Sequence, residues 1–130
     1  MLSDYFLYMN PYQGKAKKAL FVCTGGILRS PTAAHTAAEF YGWNTRSAGI
    51  YEEAVPQVNA TLCDWAEVIY CLEREHATYL DDKFDCEYET KVIVLGIPDK
   101  FTYRDPELIR LIRLKLDEVA ARAEVKFPYA

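Results

Sequence analysis

Apolar and polar positions alternate along this chain in blocks that switch between strand and helix periods. "ALFV" (19–22) is a short continuous apolar run of the kind a strand buried on both faces shows. "TRSAG" (45–49) reads as a second strand closed by Gly49, "EVIYCL" (67–72) as a third and "KVIVLGI" (91–97) as a fourth. Between them lie segments with helix signals. "PTAAHTAAEFYG" (31–42) has Ser30 ahead of it, Pro31 in its first turn, alanines inside and Gly42 at its end. "PQVNATLCDWA" (56–66) fits a helix opened by Pro56, and "EREHATYLDDKF" (73–84) is predicted helical. The clearest helix starts at Asp105 and Pro106, a ready N-cap and a first-turn residue. Leu108, Ile112, Leu116, Val119 and Ala123 then form one apolar stripe among charges.

Strands that alternate with helices pair in parallel through right-handed crossovers, so the pattern predicts an α/β fold. The expected architecture is a three-layer αβα sandwich around a four-stranded parallel sheet. Ligand sites in such sheets gather outside the carboxyl ends of the strands, and Cys23 opens the loop at one of those ends. With 130 residues and no linker-like tract, the chain reads as a single domain over 19–130 preceded by an extension over 1–18. Four aromatics in that extension suggest that it packs rather than dangles.

Charge narrows the function classes. Fifteen basic against nineteen acidic residues leave a formal charge of -4 with no basic block, a poor basis for nucleic-acid binding by counterion release. No run reaches the roughly 18 apolar residues of a membrane span, and the start lacks the order of a secretory signal, so a cytoplasmic protein without membrane partners is expected. Cys23, Cys63, Cys71 and Cys86 contain no C-x-x-C pair and are accompanied by two histidines. That argues for free thiols and against a zinc site, and neither metal nor cofactor is expected.

The chemistry concentrates in "FVCTGGILRSP" (21–31). Cys23 could simply be a small core residue. Its sequel points elsewhere: two glycines that can take positive φ, an arginine six positions on, and a Ser-Pro helix start. Successive backbone N–H groups of such a turn can form a nest for an oxyanion, and the following helix adds its positive end. Arg29 supplies a planar fork matched to two phosphate oxygens. The same field favours a thiolate at Cys23. A hydroxyl at Ser30 facing the sulfur would stabilise it further. Thr24, Gly25, Gly26, Ile27, Leu28, Arg29 and Ser30 are therefore read as a phosphate-binding loop after the first strand.

"ALFVCTGGILRSPTAA" resembles the phosphate-binding loop of the low-molecular-weight protein tyrosine phosphatases, C-x5-R-S-P after the first strand. "RSAGI", "AEVIYCLERE", "IPDKF" and "RDPELI" are similar to later segments of that family, and the likeness spans about residues 19–120. It implies hydrolysis of phosphomonoesters through a phosphocysteine, with a phosphotyrosine protein or a small aryl or alkyl phosphomonoester as substrate. Cys23 matches the nucleophile, Arg29 the phosphate clamp and Ser30 the hydroxyl that tunes the thiolate. Two aspartates compete for the role of general acid. Asp99 lies just past the fourth strand with Phe101 beyond it, whereas Asp105 carries the Asp-Pro dipeptide but is accounted for as a helix cap, so Asp99 is preferred. The family's usual asparagine three residues after the nucleophile is Gly26 here, and its second loop cysteine is Leu28, so the usual protective disulfide cannot form. The segment between Gly49 and Val68 is also short for the family.

Phe101, and less so Tyr51 and Tyr103, could line a slot for a flat ring, although aromatics near loops are more often packing. Ser47 reads as a turn residue. His35 and His76 read as solvent-facing or capping, and Glu73, Arg74 and Glu75 as a solvated charged turn. Cys71 reads as a buried thiol. Two other functions stay open: a phosphate- or phosphopeptide-binding module with little turnover, and a thiol-dependent arsenate reductase using Cys71 or Cys86.

Overall fold

A computed structural model of the chain describes residues 16–25 and 29–126, with side chains described as far as Arg122. Most of the extension expected over residues 1–18 lies outside that range, as do Gly26, Ile27 and Leu28 of the predicted loop and the side chain of Ala123. Four strands, β1 (Lys18–Cys23), β2 (Asn44–Gly49), β3 (Val68–Cys71) and β4 (Val92–Val94), form one all-parallel sheet in the order β2-β1-β3-β4. Helices α1 (Arg29–Tyr41), α2 (Ala60–Trp65) and α3 (Arg74–Phe84) lie in the crossovers between successive strands, and α4 (Pro106–Lys126) follows the last strand. The three-layer α/β architecture expected from the alternating pattern is the one observed.

The strand period divides the core in two. Ala19, Phe21 and Cys23 of β1 face one layer, with Ala33, Ala34 and Ala37 of α1 and Leu108, Ile112 and Leu116 of α4. Leu20 and Val22 face the other, with Leu62 and Cys63 of α2 and Leu80 of α3. Burial of each large aliphatic in the α4 stripe contributes about 1.5–3 kcal/mol, which is why that amphipathic helix docks where it does. Val119 continues the stripe at the partly buried margin. The alanines of α1 let its backbone approach β1 and β2 closely. Gly42, at φ 68°, ends α1 in the left-handed conformation that favours glycine.

Three local expectations change. Pro56 does not open the second helix: it follows a cis Val55–Pro56 bond, and Gln57 bridges to Gly49. Asn59 is the true cap, its side chain accepting from the Leu62 N–H at 3.0 Å, because a side-chain acceptor satisfies an otherwise orphaned helix donor. The fourth strand is shorter than its apolar run, since Glu89–Lys91 wind into a 3-10 turn and Gly96 bends the chain at φ 73°. Ser47 lies buried inside β2 rather than in a turn.

Because β2 lies on one side of β1 and β3 on the other, the order of connection reverses between β1 and β3. In open parallel sheets, that reversal leaves a crevice beyond the carboxyl ends of the two strands. Thr24 emerges from one strand there and Glu73 follows the other. No helix among the described residues is long and apolar enough to cross a membrane.

Candidate active site

The chain leaves β1 at Cys23, which is buried, and re-enters regular structure at Arg29 and Ser30 in the first turn of α1. Cys23 Sγ and Ser30 Oγ are 3.1 Å apart, and the Ser30 hydroxyl also lies 3.2 Å from the Ala48 carbonyl of β2. The start of the loop is tied to the end of β2. The Ile50 N–H is shared between the carbonyls of Cys23 and Thr24, and the Tyr51 N–H donates to the Thr24 carbonyl. Gly25 does not use the positive φ open to a glycine, and a Cβ added there would meet nothing within 4 Å.

Arg29 heads the large fully buried side chains among the described residues, and a buried guanidinium has to be paired. Its Nη1 donates to Glu73 Oε1 at 2.5 Å and to the Ile97 carbonyl at 2.9 Å. Its Nη2 donates to Thr24 Oγ1 at 3.3 Å, and Nε stands 3.6 Å from Asp99 Oδ1. One cation thus joins the carboxyl ends of β1, β3 and β4. Asp99 is exposed, whereas Glu73 is about one-third exposed at 34 %. The Nε–Nη2 edge of the guanidinium faces the Asp99 side, and Nη1 is held from behind.

Glu73 corrects the sequence reading, and His76 takes the capping role, one of the two read for it. Glu73 belongs to the site through Arg29 rather than to a solvated turn. His76 is fully buried rather than solvent-facing. Its Nδ1 accepts the Glu73 N–H at 2.9 Å, as a capping residue does, and its Nε2 lies 3.1 Å from Thr24 Oγ1. Burial, and then the nearby Arg29 charge, hold its pKa down to about 4 from 6.5. The signal that could have found the pair is the Glu-x-x-His spacing at a strand-to-helix junction, an N-cap position and its third helical residue.

Asp99 and Asp105 separate in space. Asp99 stands beside Arg29, whereas Asp105 accepts the Glu107 N–H at 2.9 Å and caps α4. Ligand atoms of Glu73, Glu75 and His76 lie within 4.8 Å of one another, a spacing that could hold a cation. Both nitrogens of His76 already serve Glu73 and Thr24, however, and Glu73 holds Arg29. A metal there would have to displace those bonds.

Solved structures match this arrangement of strands and helices across most of the chain. The YwlE arginine phosphatase of Geobacillus stearothermophilus superposes with a TM-score of 0.60 at 23% identity, covering 85% of this chain and 96% of that one. The tyrosine phosphatase Wzb of Escherichia coli K30 gives 0.65 at 18%, covering 82% and 98%. SP-PTP, a low molecular weight protein tyrosine phosphatase from Streptococcus pyogenes, gives 0.66 at 18%, covering 82% and 92%. The fold is that of the low-molecular-weight protein tyrosine phosphatases. No protein-family model and no curated protein sequence matches the chain.

Within this phosphatase fold the other singled-out residues fall as follows. Tyr51 is 57% exposed and anchored by its backbone to Thr24, and Phe101 packs at the margin of the α1–α4 core under Lys100. Tyr103 is exposed. Cys71 is buried in the core layer opposite the one that holds Cys23, and burial pushes its thiol up to about 12. Cys86 is exposed, just beyond α3. His35 lies on α1, 3.4 Å from Glu39.

Proposed function

We propose that the chain is a metal-independent, cysteine-dependent phosphomonoester hydrolase, acting in the cytoplasm on phosphotyrosine proteins or small aryl and alkyl phosphomonoesters. The observation that carries this is the juxtaposition of Cys23, Ser30 and a buried Arg29 beside Asp99 at the β1–β3 crevice. The fold of the neighbours supports it. In one structure of a YwlE mutant the active-site serine is phosphorylated, and the Escherichia coli Wzb was solved in complex with phosphate.

The chemistry follows from the positions. The phosphoryl group enters the loop from Thr24 to Ser30, and its oxygens take the Nε–Nη2 edge of Arg29, releasing Asp99 from that edge. The Cys23 thiolate attacks phosphorus, so that an S–P bond forms as the ester P–O bond breaks. Asp99 gives its proton to the leaving oxygen. Water then attacks phosphorus, passing a proton to Asp99, and the S–P bond breaks to return the thiolate. Ser30 donates to the departing sulfur by turning its single proton from the Ala48 carbonyl to Sγ. Tyr51, beside the loop base, and Phe101, two residues past Asp99, favour a flat aromatic leaving group.

The test is release of phosphate from an aryl phosphate in the presence of a chelator, repeated with Cys23→Ser and Arg29→Ala. Both variants are expected to lose turnover, and full activity in Cys23→Ser would sink the mechanism. A phosphotyrosine peptide is expected to be cleaved faster than a phosphoarginine peptide. Tight phosphate binding without turnover would instead mark a binding module.

A further inference from the structure

We propose that Glu73 and His76 are positioning residues that hold Arg29 in its phosphate-receiving orientation from behind. This rests on the phosphatase reading above and deepens it. The carboxylate of Glu73 takes one Nη1 hydrogen at 2.5 Å while the Ile97 carbonyl takes the other at 2.9 Å, so that end of the guanidinium is fixed. The Nη2 end is set indirectly. His76 Nδ1 accepts the Glu73 N–H, which places the proton of the neutral ring on Nε2. Nε2–H therefore donates to Thr24 Oγ1. That oxygen receives Arg29 Nη2 as its second donor and turns its own proton toward Glu75 Oε1, 3.5 Å away.

The turn that follows β3 thus caps its own helix and also locks the planar fork. An arginine side chain has about 2 kcal/mol of rotamer freedom to lose, and bidentate recognition needs the plane fixed before phosphate arrives. Glu73 is a mixed asset in this role. Its charge lies on the same cation that must attract a dianion, so its contribution is orientation rather than attraction. This predicts a signature that a purely structural residue would not give. Glu73→Gln keeps an oxygen acceptor of the same reach and should hold kcat near wild type with unchanged or lower KM. Glu73→Ser has a side chain well suited to capping α3 but too short to reach Arg29, and it should lose mainly kcat.

The experiment measures kcat and KM on an aryl phosphate, inorganic phosphate affinity by calorimetry, and folding by circular dichroism. Glu73→Ser is expected to fold and to lose about a hundredfold in kcat/KM, the scale of a 1 Å misplacement. Glu73→Gln should stay within about tenfold of wild type, and the Glu73→Ser loss should shrink to about threefold or less in an Arg29→Lys background, since both residues act through one group. Full activity in Glu73→Ser, a Gln variant as impaired as the Ser variant, or an undiminished loss in the Arg29→Lys background would each overturn the proposal. If the wild type binds phosphate without turnover, the hydrolase reading fails alone. The positioning role is then read from phosphate affinity, expected at least tenfold weaker in Glu73→Ser and overturned by equal affinity. If the wild type neither binds nor turns over, both fall.

Discussion

The Cys23 sulfur and the Ser30 hydroxyl lie 3.1 Å apart across the mouth of the loop, and that hydroxyl also lies 3.2 Å from the Ala48 carbonyl. A hydroxyl has one proton. With a thiol at Cys23, the S–H can donate to Ser30 while Ser30 donates to Ala48. With a thiolate, the Ser30 proton must turn to sulfur and leave the carbonyl. Ser30→Ala should therefore lower turnover about ten- to a hundredfold, the value of one hydrogen bond to a charged group. Steady-state kcat on an aryl phosphate checks this, and an unchanged kcat contradicts it.

Asp99 and Asp105 should separate by phenotype. Asp99 stands 3.6 Å from Arg29, while Asp105 accepts the Glu107 N–H at the start of α4. Asp99→Asn is expected to lower kcat by about 10²–10⁴ with little change in unfolding midpoint. Asp105→Ala is expected to cost about 1 kcal/mol of stability and to leave kcat close to wild type. Urea unfolding beside kinetics distinguishes them, and the opposite pattern would transfer the acid role to Asp105.

His76 makes stability depend on pH. Burial, followed by the Arg29 charge, lowers its folded pKa to about 4 from 6.5. The unfolded chain therefore binds more protons between those values, and folding favours the neutral ring. The stability from this neutral ring is present in full above pH 6.5 and is lost as pH falls toward about 4. Unfolding free energy should rise with pH across this window by up to about 1.4 kcal/mol per unit. His76→Gln should flatten that slope, and an identical slope in the variant would assign it to other groups.

Cys71 should behave as packing. It is buried on the sheet face opposite Cys23, and burial pushes its pKa to about 12 and that of Cys63 to about 11. An alkylating agent at pH 8 should modify exposed Cys86 in the folded protein and reach Cys63 and Cys71 only on unfolding. Cys71→Ala should cost about 1–2 kcal/mol of stability and keep phosphatase turnover within about twofold. Thiol-coupled arsenate turnover that depended on Cys71 would reverse this assignment.

The sequence by itself determined the layers and the location of the loop. Continuous apolar runs such as "ALFV", the stripe of Leu108, Ile112 and Leu116, and the Gly42 stop are local signals, because burial and capping act within a few residues of the chain. They were enough to order the strands with the helices and to put Cys23 at a carboxyl end. Local signals also misled where tertiary contacts won. Pro56 read as a helix opener but precedes a bridge to Gly49, and Asn59 caps instead. The tertiary structure alone decided what surrounds Arg29. Glu73, Ile97 and Asp99 lie 44 to 70 positions along the chain from it, and only the parallel order β2-β1-β3-β4 brings those strand ends together. A charged run such as Glu73–Glu75 looks solvated in sequence because nothing local pairs with it. Burying one guanidinium at the switch point made Glu73 and His76 part of the site, since a buried cation requires partners wherever the fold can supply them.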